Sequence, residues 1–216
     1  MDLDFEKLAS YPVFNGVKAR ELSAMLSCLG ACAAHYPKKD FIQLSGGDTE
    51  RVGIVADGVV QMIKEGADGG QSILSVLNCG SVFGESFVCS GRSLLSVSFY
   101  AANDCAVLWL PFKKVLCSCA QSCAFHHQLI ENMMRLLAEE NIRLIEKLDI
   151  TSRKTIRERV LAYLHQHNDG GYFESPLGRL ELADYLCVDR SALTRELSHM
   201  KNEGLIDYDK NTFRIL

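Results

Sequence analysis

A chain of 216 residues, 48% of them apolar and 23% charged, is long enough for two cored domains. No apolar run approaches the ~18 residues of a bilayer span, and the acidic start MDLDFEKL lacks both regions of a signal peptide, so a cytoplasmic protein is expected. The net charge of −4 excludes a uniformly basic nucleic-acid binder. It leaves a local one open, because residues 1–150 hold 13 basic and 17 acidic side chains and residues 151–216 hold ten of each.

Residues 3–30 read as short helices. Leu3, Phe5 and Leu8, then Leu22, Met25, Leu26 and Leu29, recur at helical spacing, with breaks at Pro12 and Gly16. From His35 to about Pro111 the period becomes two. Strands are predicted over Phe41–Leu44, Val52–Ala56, Val59–Ile63, Ser72–Leu77, Val97–Tyr100 and Ala106–Leu110, separated by glycine turns. Short strands so closely spaced indicate an antiparallel barrel or jelly roll, which hides its edges by closing.

Between about Leu116 and Leu148 there is neither proline nor glycine, and one long helix is predicted. Ile130, Met134, Leu137, Asn141, Leu144 and Leu148 alternate four- and three-residue steps, a heptad seam that suits a second copy of the chain. Asn141 within it would fix register and two-strandedness. A second stripe, Leu129, Met133 and Leu136, is expected against the chain's own barrel. A helix carrying Ile156, Val160, Leu161 and Leu164 follows and stops at Asn168-Asp169-Gly170-Gly171. The expected fold is α+β: an antiparallel β-roll over 1–115, a dimerisation helix over 116–150 and a winged helix-turn-helix over 151–216.

That last assignment rests on RLELADYLCVDRSALTRELSHMK, Arg179 to Lys201. Leu182, Ala183 and Leu186 on one helix face Leu193, Leu197 and Met200 on the next, with small Ala183 where the two cross. Asp189 is the expected N-cap of the second helix. This leaves Arg190, Ser191, Thr194 and Arg195 pointing outward, as on a helix that enters the major groove of DNA. Phosphate contacts are expected from Arg179 and Lys201, and from Arg153 and Lys154. Cys187 stands at the joint where such motifs hold glycine; a left-handed backbone there costs on the order of 1 kcal/mol. Two alternating segments around Asp209-Lys210-Asn211 predict a β-hairpin wing.

With the stretch ADGVVQMIKEGADGGQSILSVLNCGSVFGE, Ala56 to Glu85, and the reader LADYLCVDRSALTREL, the whole chain resembles the Crp/Fnr superfamily of bacterial transcription regulators. The resemblance implies a homodimer on a two-fold symmetric promoter site, with RNA polymerase as a further partner and no membrane partner. Its cyclic-AMP-binding members pair Gly-Glu with a later Arg-Ser. Here Gly84-Glu85 fits the first pair but Leu95-Ser96 stands for the second, and Arg92 lies three residues early. A buried phosphate without a cation is costly, so cyclic AMP is not the expected effector. The expected pocket comprises Gly84, Glu85, Ser86, Leu95, Ser96 and Val97 and abuts Met133. It would suit a small neutral or cationic organic molecule.

The cofactor is otherwise open. Cys117, Cys119, Cys123 and His126 form a possible thiolate–imidazole set for iron–sulfur, zinc or haem, or a site of reversible thiol oxidation. Cys28, Cys79, Cys89 and Cys105 read as small apolar core residues. A competing class is a cyclic-nucleotide-binding regulatory subunit that acts on a protein partner, but it has no need of the reader helix and wing. No catalytic constellation is present, so an enzyme is not expected.

Overall fold

The computed structural model describes residues 4–65, 71–91, 94–116, 124–167 and 171–216, which fall into two compact units, Met1–Ala138 and Glu139–Leu216. In the first, α1 (Phe5–Ala9), a 3-10 turn (Pro12–Phe14) and α2 (Ala19–Leu29) precede eight strands. These are β1 (Cys32–Tyr36), β2 (Phe41–Gln43), β3 (Arg51–Asp57), β4 (Val60–Glu65), β5 (Gln71–Leu77), β6 (Val82–Phe83), β7 (Ser98–Ala101) and β8 (Cys105–Pro111). A short helix, α3 (Glu85–Cys89), lies between β6 and β7; α4 (Phe112–Leu116) and the long α5 (Ala124–Thr151) follow.

The strands form two antiparallel sheets, ordered β1-β8-β3-β6 and β2-β7-β4-β5. Alternation along β8 divides its side chains between two cores. Cys105, Val107 and Trp109 join Val55, Val60, Leu95, Val97 and Phe99 in the interior of the roll. Ala106, Leu108 and Leu110 join Val52 and Ile54 on the other face, under Leu22, Met25, Leu26 and Leu29 of α2 and Leu129 and Met133 of α5. Buried Asn132 fastens α5 there by donating to the carbonyls of Val13 (3.1 Å) and Asn15 (2.7 Å). The roll interior is aromatic: the Phe83 ring lies 4.7 Å from Phe99 and 5.4 Å from Trp109. Gly53 makes room for it, since a Cβ there would stand 2.3 Å from the ring.

The second unit contains α6 (Ile156–His167), β9 (Phe173–Glu174), α7 (Arg179–Tyr185), α8 (Arg190–Asn202), β10 (Ile206–Asp209) and β11 (Thr212–Ile215). Leu182, Ala183, Leu186, Leu193, Leu197 and Met200 are all at most 2% exposed and pack with Ile150, Val160, Leu164, Ile206 and Phe213. The helix-turn-helix core is therefore the one the apolar spacing predicts. The hairpin β10–β11 is present, and β9 extends it to three strands in the order β10-β11-β9.

Several elements depart from the expectation. β1, β6, β9, α3 and α4 lie outside the predicted elements, and the long helix is described over Ala124–Thr151. Residues 117–123, with Cys117, Cys119 and Cys123, lie outside the described residues, as does Arg92. Of the four cysteines expected in the core, Cys105 is buried, while Cys28, Cys79 and Cys89 are exposed. A short side chain can be excluded from a core by its position on a turn or helix end, whatever its apolar character.

Candidate DNA-reading surface and effector region

Asp189 caps α8, its carboxylate accepting from the backbone N–H groups of Ser191 and Ala192 at 3.0 Å each. The Ser191 hydroxyl also donates to that carboxylate. These bonds hold the Asp189 carboxyl below the usual range, the Ser191 hydroxyl first among the causes. Cys187 takes the left-handed backbone, φ 53°, that the joint demands. The apolar face of α8 then points inward, and Arg190, Ser191, Thr194 and Arg195 are exposed. The hydroxyls on this face are committed to the protein. Thr194 Oγ1 donates to the Arg190 carbonyl (2.9 Å), and Ser198 Oγ donates to that of Thr194 (3.0 Å). Among the described residues, no hydrogen bond or ion pair engages the guanidinium of Arg190 or Arg195.

Arg179 and Lys201 are engaged with the wing. Arg179 Nη2 donates to the Lys210 carbonyl at 2.7 Å, and its guanidinium lies 5.2 Å and 5.7 Å from the ring centres of Tyr208 and Phe213. Burial lowers the pKa of Arg179. Lys201 Nζ bonds the Asp207 carboxylate (2.8 Å) and the Tyr208 carbonyl (3.0 Å), and Asp207 raises its pKa. Arg153 pairs with Asp149 at 2.8 Å, and Lys154 is exposed.

Two arginines of α6 went unnoticed in the sequence. Arg157 Nε donates to Glu196 Oε1 (2.7 Å), and its two terminal nitrogens donate to both oxygens of Glu203 (2.7 and 2.9 Å). The bidentate pair ties α6 to α8, raises the pKa of Arg157 and lowers that of Glu203. Arg159 donates Nε to the Arg153 carbonyl (3.0 Å) and Nη1 to the carbonyls of Leu186 (3.0 Å) and Cys187 (3.1 Å). Nothing local in the sequence signals either role, since the distant partners lie 27 to 46 residues away.

In the roll, Gly84 adopts φ +80° and precedes α3, where Ser86 Oγ donates to Glu85 Oε1 (3.0 Å). Leu95, where the resemblance would place an arginine, is 3% exposed and packs with Phe83, Val97 and Phe99; Ser86 and Ser96 are exposed. Met133 is not with them: it packs on the helix-covered face of the β1-β8-β3-β6 sheet. A separate recess of about 320 Å³ is lined by His35, Tyr36, Pro37, Asp57, Asp104, Cys105 and Ala106. Among the described residues no group of three His, Cys, Asp or Glu side chains is placed to hold a metal, and no helix is long and apolar enough to cross a membrane. His126 is buried and has interactions of its own. Desolvation, then the Glu85 carboxylate, pushes the Cys89 thiol up.

A β-roll and a winged helix-turn-helix whose second helix presents an outward-facing cationic face have the architecture of a DNA-binding transcription regulator. The comparisons agree. A family model for the cyclic nucleotide-binding domain matches residues 33–122, and one for the Crp-like helix-turn-helix domain matches 158–216. The chain belongs to the Crp/Fnr superfamily of transcription regulators. Among solved structures it is similar to the catabolite activator protein of Thermus thermophilus (24% identity, TM-score 0.56, covering 95% of this chain and 93% of that one). It is also similar to a CooA mutant from Carboxydothermus hydrogenoformans (18%, 0.56, 89% and 85%). A third is CLP of Xanthomonas campestris, described as a c-di-GMP responsive global regulator (18%, 0.51, 92% and 99%). No curated protein matches the chain.

Proposed function

We propose that two copies of this cytoplasmic chain bind a two-fold symmetric promoter site, read it with α8, recruit or block RNA polymerase there, and change affinity when the roll takes up an effector. The observation that carries the reading is the pair of exposed guanidinium groups, Arg190 and Arg195, which no hydrogen bond or ion pair engages among the described residues, on the outer face of a capped, packed helix. Arg190 and Arg195 contact bases or adjacent phosphates, with Ser191 and Thr194 beside them. Ser191 and Thr194 have given their hydroxyl hydrogens to the protein, so they meet DNA as acceptors. Lys154 positions phosphates directly, while Arg153, paired with Asp149, and Arg179 and Lys201, engaged at the wing, contribute through the elements they hold.

Dimerisation is supported by the unpartnered seam on α5. Met134, Leu144 and Leu148 are 66%, 53% and 66% exposed, Asn141 is exposed, and Ile130 and Leu137 are half-buried. A second α5 would cover them, with Asn141 setting the register.

The effector site centres on Gly84, Glu85, Ser86 and the Leu95–Val97 segment, with its change passed on through the helix that carries Met133. Leu95 buried among aromatic rings offers no counter-charge to a cyclic phosphate, so the effector is a small neutral or cationic organic molecule.

The test is to select duplexes from a random library on the purified protein and titrate the enriched sequence by fluorescence anisotropy. The expected result is an inverted repeat with half-sites about 34–36 Å apart. Failure to enrich any sequence over the starting pool would remove the DNA-binding reading.

A further inference from the structure

The three hydrogen bonds of Arg159 join two places that a regulator of this kind has to keep in step. One is the linker between the end of α5 at Thr151 and the start of α6 at Ile156, reached at the Arg153 carbonyl (3.0 Å). The other is the joint between α7 and α8, reached at the Leu186 and Cys187 carbonyls (3.0 and 3.1 Å). Leu186 is the C-cap of α7, where carbonyls lack helical partners and favour a cation. The guanidinium is planar and its donors are fixed relative to one another. Neither set of carbonyls can shift without pulling on the other or losing a bond.

The linker itself has little slack. Arg153 Nη2 grips both carboxylate oxygens of Asp149 on α5 (2.8 and 2.9 Å). Lys154 N and Thr155 N both donate to Glu158 Oε2 (3.0 Å each), and Glu158 N donates to Thr155 Oγ1 (3.2 Å). The linker is thus tied to the long helix on one side and to α6 on the other, and Arg159 extends that chain of bonds to the start of the reader. Cys187 sits where the joint is least free to relax, since its φ of 53° is already disfavoured.

We infer that Arg159 is a positioning residue: it fixes the aim of α8 to the linker that follows α5, so that a change arriving along α5 reaches the reader as a rotation of the joint. This rests on the DNA-binding reading above. It adds that the coupling runs through one side chain that does not itself read DNA.

The test uses the full chain with an enriched operator duplex and a shuffled duplex of equal length. Arg159→Met keeps most of the side-chain volume and removes all three donors; Arg159→Lys keeps a cation that reaches at most part of the set. Arg159→Met is expected to weaken operator binding tenfold or more while binding the shuffled duplex within twofold of the unsubstituted protein, because the phosphate term does not need an aimed helix. Arg159→Lys is expected to recover part of the loss. Amide exchange adds a second readout. In the unsubstituted protein, operator binding should slow exchange at both 152–155 and 186–188, and in Arg159→Met the slowing at 152–155 should disappear. Operator affinity within twofold, equal losses on both duplexes, or unchanged linker protection would each overturn the assignment. If the unsubstituted protein itself fails to prefer any duplex, the DNA-binding reading has failed instead, and that outcome is visible before any variant is made.

Discussion

Replacing Arg195 by alanine separates reading from folding. The side chain is exposed, makes no hydrogen bond or ion pair among the described residues, and projects from a helix whose core contacts are made by Leu193, Leu197 and Met200. Its loss should leave stability within about 0.5 kcal/mol. A contact to a base or a positioned phosphate is worth about 1–3 kcal/mol, the two-fold complex loses one from each copy, and each 1.4 kcal/mol is about tenfold, so the operator dissociation constant should rise roughly 25-fold or more. Anisotropy titrations at several fixed salt concentrations distinguish the two kinds of contact. A phosphate contact lowers the slope of log K against log salt by about one, whereas a base contact leaves the slope and relaxes preference at one base pair. An operator affinity unchanged within twofold, in a variant that melts with the unsubstituted protein, would refute the placement of Arg195 in the reading surface.

Cyclic AMP and cyclic GMP should produce no saturable rise in melting temperature at micromolar concentration; a saturable rise would show that Leu95 does not debar a cyclic phosphate. Gly53→Ala should destabilise the roll by about 1–3 kcal/mol, as overpacking against the Phe83 ring does, read as a lower denaturation midpoint in the fluorescence of the lone Trp109. No change would mean the ring has room to move. Asp189, Glu158, Glu203 and Asp207 all have folded pKa values below their ordinary ones. Their contribution is therefore complete above the unfolded values near ~3.9–4.3 and is lost as pH falls through the folded values. The melting temperature of the second unit should hold from neutral pH to about 5 and fall below it, less steeply in Asp189→Asn. A fall already complete at pH 6 would contradict this.

What was legible in the sequence followed from period and punctuation. β3, β4 and β5 lie between glycine turns, β3 and β8 are continuous apolar runs buried on both faces, and the predicted spans of all four differ from the observed ones by at most two residues at either end. The reader was legible for a different reason: the four- and three-residue spacing of Leu193, Leu197 and Met200 determines which face remains outside. β6 and β9 are two residues each and carry no period; their partners in β3 and β11 create them. The polar connections were hidden for the same cause. A guanidinium such as that of Arg157 or Arg159 looks solvated until α8 or the joint arrives from far along the chain, and Lys201 looks like a phosphate ligand until Asp207 and the Tyr208 carbonyl come beside it. The expected pocket around Leu95 abuts Met133, but Met133 packs on the helix-covered face of the β1-β8-β3-β6 sheet and Leu95 in the roll interior. The two faces of β8 separate them.

The central claim, a two-copy reader assembled on one symmetric site, is tested most directly by native mass measurement of the protein with its enriched duplex. Two chains per duplex are predicted, without a one-chain species at substoichiometric protein, and Leu137→Asp with Leu144→Asp should give monomers that lose this complex. One chain bound per duplex, or a double variant that still binds as a pair, would contradict the account.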